Sequence, residues 1–266
     1  MFLRLRQLCL VAEKLEPVAD DLASLFGIEI CHRDPGVGQF GLHNVLLPMG
    51  TSFIEIVAPQ REGTTAGRYL QRRHGDGGYM VILDTDNLPY WRTHVASVGV
   101  RVAAALALDA YEGEQLHPRD TGGALLEINT TRGNSADLMG AYWPAGAHWQ
   151  PHVRTERVKA VTGAVLQSDD PARLAQRWGQ ILQRPARRAG NDSLEWRVPV
   201  DNATLRFVAM TDGRGEGLAG IDLAVADVPT IINAATARGC TTGASSVQVG
   251  GVVFHLTAAN AGASRT

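Results

Sequence analysis

LRQLCLVAEKLEPVADDLASLFG, residues 5–27, joins an apolar strand to a punctuated helix. Leu5 to Ala12 is the strand; Pro17 opens a helical spacing of Val18, Leu22, Leu25 and Phe26, and Gly27 closes it. Proline in the first helical turn gives up an N–H that has no partner there. Glycine just past the last turn takes left-handed backbone at no steric cost, so the two residues mark a start and a stop.

The same order returns three times. Tyr79 to Leu83 is followed by Pro89, then Trp91, Val95 and Val98, then Gly99. Val161 to Leu166 leads to Pro171, Leu174, Trp178, Ile181 and Leu182, ending near Pro185. Ile221 to Val225 leads to Pro229, Ile231, Ile232 and Ala235, ending at Gly239. Strand-like segments follow each helix, in the first copy Ile28-Glu29-Ile30, Leu42 to Leu47 and Phe53 to Val57, separated by Asp34-Pro35-Gly36 and Met49-Gly50. Asp201-Asn202 marks the last hairpin of the third copy, and Gly122-Gly123 and Gly250-Gly251 precede the last strands of the second and fourth. Each unit reads as βαβββ, and a fourfold repeat of such a unit predicts an α+β chain.

A Gly-, Pro- and aromatic-rich stretch from Arg132 to His152 interrupts the series between the second and third copies. The expected organisation is a first domain over 1–132, a linker over 133–156 and a second domain over 157–260. Gln60 to Gly78 joins units one and two, with a short helix expected over Thr64 to Arg73, and the small polar tail after Ala258 is expected to fray.

A length of 266 residues at 45% apolar content suits two compact domains. Net charge is −2, from 25 Lys+Arg against 27 Asp+Glu, so no global field favours nucleic acid or an anionic membrane, and a small molecule is the expected partner. Cys9, Cys31 and Cys240 are odd in number and far apart, which points to inert thiols in a reducing compartment. No apolar run approaches the roughly 18 residues of a membrane span, so a cytoplasmic location is expected.

Paired βαβββ units closing into cupped mixed sheets resemble the vicinal oxygen chelate superfamily, which holds glyoxalase, methylmalonyl-CoA epimerase, bleomycin-resistance proteins and extradiol dioxygenases. The resemblance covers nearly the whole chain and implies a glyoxalase-like α+β fold of four modules in two sheets. It also implies a divalent-metal site built from a ligand near the start of each unit's first strand and a glutamate in its last. Those places hold Gln7 and Glu55 in unit one, and Met80 and Glu127 in unit two; the two separations agree to within one residue. Units three and four put Gly163, Phe207, Gly220 and His255 there, so the second domain has lost the pattern and reads as structural or as a lid.

Gln7, Glu55 and Glu127 are the candidate metal ligands, with Glu55 and Glu127 the candidate catalytic groups. Oxygen ligands favour Mg²⁺, Mn²⁺ or Fe²⁺ over Zn²⁺. Met80 stands where the superfamily usually has histidine; a thioether is a poor ligand for such ions and points to a metal weakly held or absent. With a metal, the site suits a lyase, an isomerase or a ring-cleaving dioxygenase acting on a small oxygen-rich molecule. Without one, two facing carboxyls form a proton donor and base, or simply a binding pocket of the resistance type.

The competing structural reading for the two glutamates is a satisfied buried pair, with Arg33 or Arg119 as counter-ions. His43, His117, Trp143 and Met80 are candidate substrate contacts. For His117, in His117-Pro118-Arg119-Asp120, a turn role weighs more, and Tyr142, Trp143, His148 and Trp149 either roof the cavity or pack the domains together. Arg61, Arg68, Arg72 and Arg73 offer an anion site or a solvated helix face. Pairing of units within the chain and across a homodimer both stay open.

Overall fold

The computed structural model describes residues 1–259, so all but the first residue of the tail after Ala258 lies outside the described residues. The first half gives β1 (Leu3–Val11), α1 (Leu15–Phe26), β2 (Leu42–Met49), β3 (Ser52–Pro59), α2 (Thr65–Arg73), β4 (Gly77–Thr85), α3 (Leu88–Ser97), β5 (Val102–Leu108), β6 (Tyr111–Leu116), α4 (Pro118–Thr121) and β7 (Leu125–Thr131). The second half gives β8 (Val158–Ser168), α5 (Pro171–Leu182), β9 (Arg187–Arg188), β10 (Trp196–Val200), β11 (Ala203–Ala209), β12 (Gly217–Val225), α6 (Val228–Ala237), β13 (Thr242–Gly243), β14 (Ser246–Val249) and β15 (Val252–Ala258).

The punctuation read from the sequence is used in the structure. Gly27 ends α1 in the left-handed region at φ 63° and its N–H returns to the Ala23 carbonyl. Asn87, Asp170 and Asp227 cap α3, α5 and α6 through their side chains, each with proline in the first turn. Thr64 caps α2 by accepting from the Gly67 N–H.

Two mixed sheets result, in the orders β2-β3-β1-β4-β7-β6-β5 and β13-β14-β15-β12-β8-β11-β10-β9. In each, the first strands of two units pair antiparallel at the centre, and each runs parallel to the last strand of its own unit. The architecture is the α+β, glyoxalase-like one of repeated modules. One strand is missing from the expected set: Ile28-Glu29-Ile30 forms no ladder, and pairing there shrinks to a single bridge between His32 and Leu46. The chain is diverted at Asp34, whose carboxylate accepts from the Gly36 N–H and opens a 3₁₀ turn over Pro35–Phe40. The corresponding strands β9 and β13 are two residues each.

The main core runs through both sheets. It takes in Leu3, Leu5, Leu8 and Leu10 from β1, Trp91 from α3, Trp178 from α5 and Phe254 from β15. Phe26 of α1 meets Phe254 at 5.1 Å between ring centroids.

Candidate functional site

Strict alternation along β1 would separate Arg6 from Gln7. The pairing of β1 with β4 slips between Leu5 and Gln7, a bulge that resets the alternation. Leu3, Leu5, Leu8 and Leu10 therefore all enter the main core, while Arg6, Gln7, Cys9 and Val11 share the other, cupped face. On that face Glu55 lies beside Cys9, and Gln7 lies beside Ile82, which in turn lies beside Glu127. The two central strands thus carry Gln7 between glutamates from the strands that flank them.

All three side chains are buried, Gln7 at 3%, Glu55 at 8% and Glu127 at 2% exposure. Glu55 accepts from the Asn44 amide at 2.6 Å and from Gln7 Nε2 at 2.8 Å. Gln7 Oε1 accepts from the Tyr142 hydroxyl at 2.9 Å. Glu127 accepts from the Tyr111 hydroxyl through a short bond, from Gln115 at 3.0 Å and from Asn129 at 3.2 Å. Arg33 pairs instead with exposed Glu16, and among the described residues neither glutamate of the cup has a cationic partner. The counter-ion expectation for Arg33 and Arg119 is corrected: amide and phenol donors, which carry no charge, do that work.

Burial lifts the Glu55 carboxyl above its ordinary range, and the negative charge of Glu127 adds to the lift against the opposing hydrogen bonds. Burial, then the charge of Glu127, holds the Tyr111 and Tyr142 hydroxyls protonated far above the usual phenol range. The Cys9 thiol, fully buried beside Glu55, is likewise pushed up and kept from ionising.

The remaining candidates divide. Met80 is on the cup face, 7% exposed, in an apolar floor with Cys9, Val11, Val57, Leu70 and Ile82. His43 is not in the cup: it pairs with Ala58 in register, on the same face as core residues Val45 and Leu47, and its neighbour Asn44 reaches Glu55 instead. His117 caps α4, its Nδ1 accepting from the Arg119 N–H, so it serves the turn. Trp143 stacks on Tyr111 at 5.4 Å but keeps 37% of its surface exposed, at the rim. Tyr142 and Trp149 roof the cup, both packed on Phe53 with centroids at 4.9 Å. Of the arginines, Arg73 is buried and donates to the carbonyls of Arg214, Gly215 and Glu216, a structural anchor. Arg68 is spent on Gly63 and Thr65.

Asn44, Tyr111, Gln115 and Asn129 were missed from sequence, and Tyr142 was read as a roof or packing aromatic but not as the partner of Gln7. Asn129 was within reach, two residues past Glu127 on the same face, and Tyr111, Gly113 and Gln115 alternate along β6 opposite it.

The arrangement suits a divalent ion poorly. Among the described residues no group of three or more His, Cys, Asp or Glu side chains could hold one. The carboxylate oxygens face N–H and O–H donors, and Gln7 turns its amide nitrogen to Glu55 while its oxygen serves Tyr142. Those donors would confront a cation with positive ends, and Met80 adds only a soft sulfur. The same donors suit carboxyl groups that gain and lose protons, or the oxygens of a ligand. No helix of the described residues is long and apolar enough to cross a membrane.

A family described as "Glyoxalase-like domain" matches residues 8–182, which span the first sheet, the linker and the opening of the second. No curated protein matches the chain. Among solved structures, a hypothetical protein from Staphylococcus aureus superposes with a TM-score of 0.70 over 97% of this chain and 100% of its own, at 10% identity, a likeness of fold alone. Methylmalonyl-CoA epimerases from Streptomyces coelicolor and Mycobacterium tuberculosis cover 49% and 48% of this chain and 99% and 87% of theirs. Their identities are 20% and 23% and their TM-scores 0.45 and 0.43, too low to carry an argument.

Proposed function

Because the chain belongs to the glyoxalase-like domain family, and fold alone does not fix chemistry, we propose a function from the cup itself: it binds a small oxygen-rich molecule and moves a proton at a carbon next to a carbonyl, without a metal. The observation that carries this reading is Glu55, a buried carboxyl with a raised pKa and only uncharged donors as hydrogen-bond partners. A base poised nearer neutrality than an ordinary carboxylate is what α-proton abstraction at physiological pH requires. The Gln7 and Asn44 amides each give one N–H to Glu55 and keep a second as the donor available to an enolate oxygen, while the Tyr142 hydroxyl holds Gln7 in place. Glu127, held by Tyr111, Gln115 and Asn129, keeps the second carboxyl fixed beside the reacting position. The division into 1–132, 133–156 and 157–260 belongs to the same proposal, with the linker serving as the roof of the site.

The test is exchange of α-hydrogens in D₂O, followed by NMR, with pyruvate, 2-oxobutyrate, acetoacetate and hydroxyacetone as probes and chelator present throughout. Exchange is expected with at least one probe, reduced about 10²-fold or more by Glu55→Gln. Exchange that needs an added divalent ion, or that survives Glu55→Gln, overturns the reading. Tight binding with no exchange establishes the alternative, metal-free sequestration, which the apolar floor around Met80 favours.

A further inference from the structure

Among the described residues the cup holds a cation with no ion-pair partner. Arg6, brought to the cupped face by the β1 bulge, is 1% exposed. Its neighbour Arg4 is matched by Asp84 at 2.6 Å, whereas among the described residues Arg6 forms no ion pair. One terminal nitrogen donates to the Thr51 carbonyl, and among the described residues the Nε–H has no acceptor. Three rings surround the guanidinium, with centroids 5.3 Å (Phe53), 5.0 Å (Tyr142) and 5.5 Å (Trp149) from Cζ. Trp149 is itself fully buried, and its indole N–H also lacks an acceptor among the described residues.

Ring faces attract a guanidinium, but they offer nothing to N–H groups at its edge. A buried donor left unmade is destabilising, more so when it is charged, and native interiors leave few of them. Two such donors belong to one aromatic box, and a negatively charged acceptor suits both. Desolvation lowers the Arg6 pKa, and the attraction of Asp84 and Asp137, neither of them paired with it, does not make up the loss.

We propose that Arg6 and the Trp149 indole N–H bind a carboxylate, so that the molecule taken into the cup is a small monocarboxylic acid. This rests on the reading of the cup as a small-molecule site, and it names the substrate class. A planar carboxylate matches the edge of a guanidinium and leaves an oxygen for the indole donor. One uncompensated cation matches one negative charge, and a dianion such as a phosphate ester would crowd Glu55 and Glu127. Tyr142 links the two regions of the site: its ring covers Arg6, and its hydroxyl holds Gln7, which holds Glu55. A 2-oxo acid seated there presents its carboxylate to Arg6 and its keto group towards the Glu55 cluster.

The test is calorimetric titration of the full chain with pyruvate, propionate, propionamide and inorganic phosphate. Pyruvate and propionate are expected to bind, and propionamide and phosphate are not. Arg6→Met is expected to weaken the carboxylates about 100-fold yet to melt no lower than the native protein, because it removes an unpaired buried charge. Trp149→Phe, which keeps the roof ring, is expected to weaken them about 10-fold. Equal binding of propionamide, preference for phosphate, or unchanged affinity in both variants overturns the proposal. Should Arg6→Met fail to fold, the uncompensated-charge argument is overturned with it, while Trp149→Phe and the amide comparison still judge the carboxylate site. Carboxylate binding without α-exchange sinks only the proton-transfer reading; exchange that ignores Arg6 and Trp149 sinks only this one.

Discussion

A carboxyl group surrounded by amides and shut away from water holds its proton longer than one in solution, and this ties Glu55 to the stability of the whole chain. Its folded pKa is raised, chiefly by burial, above its unfolded value. The folded state therefore binds the proton more tightly than the unfolded state, so the stabilisation is complete below the ordinary carboxylate range and is lost as pH rises through the folded pKa. Glu55→Gln fixes the neutral form. A half-turn of the Gln7 amide lets the new side chain keep its partners, since Tyr142 can accept as readily as donate. Melting curves of native protein and variant should accordingly converge near pH 4 and separate by about pH 8, the native protein becoming the less stable of the two. A gap that stays constant across that range would show that Glu55 titrates as it does in water.

The elements that gather these groups differ in how plainly the sequence announces them. Helices were legible because proline and glycine each act on the single turn they occupy, at the start and at the end, and the strands holding Gln7, Glu55 and Glu127 were legible because a repeated unit fixes their register. Asn44 was lost to a question of parity: the sequence shows His43 and Asn44 in a strand, and only its register against β3 decides which of them faces Glu55. Arg6 was lost to the bulge, which no local residue type signals. Tyr142 and Trp149 were legible as roof or packing aromatics, but their partners were not, because the linker over the cup follows no period; its path is fixed by aromatic packing on Phe53 and by two short 3₁₀ turns, Trp143–Ala145 and Gln150–His152. If Phe53 is the post on which the roof rests, Phe53→Ala should destabilise by about 3–5 kcal/mol and speed amide hydrogen exchange over 142–153 more than in β4 or β7. Uniform acceleration across the first sheet would mean that Phe53 supports the sheet and not the roof.

The two sheets are bound into one body by contacts that leave no room for side chains. A Cβ on Gly78 in β4 would collide with the Leu218 carbonyl of β12, and one on Gly251 would collide with the Asp76 carbonyl. Around these points Arg73 holds three carbonyls of the turn before β12, and Arg214 donates back to the carbonyls of Arg73, Gly75 and Asp76. The second sheet, where Gly163, Phe207, Gly220 and His255 stand at the corresponding places, keeps an ion network of Arg206 with Glu195 and Asp222. Its role in the site is indirect: it braces β4, the central strand that carries Met80 and Ile82 between Gln7 and Glu127. Gly78→Ala tests that bracing. The added methyl has to push the backbones of β4 and β12 apart, so a loss of about 1–3 kcal/mol is expected, and because the main core runs through both sheets the loss should appear as one shifted unfolding transition. Two transitions, with the first sheet melting at its native temperature, would show that the halves stand independently and that the cup needs no support from the second sheet.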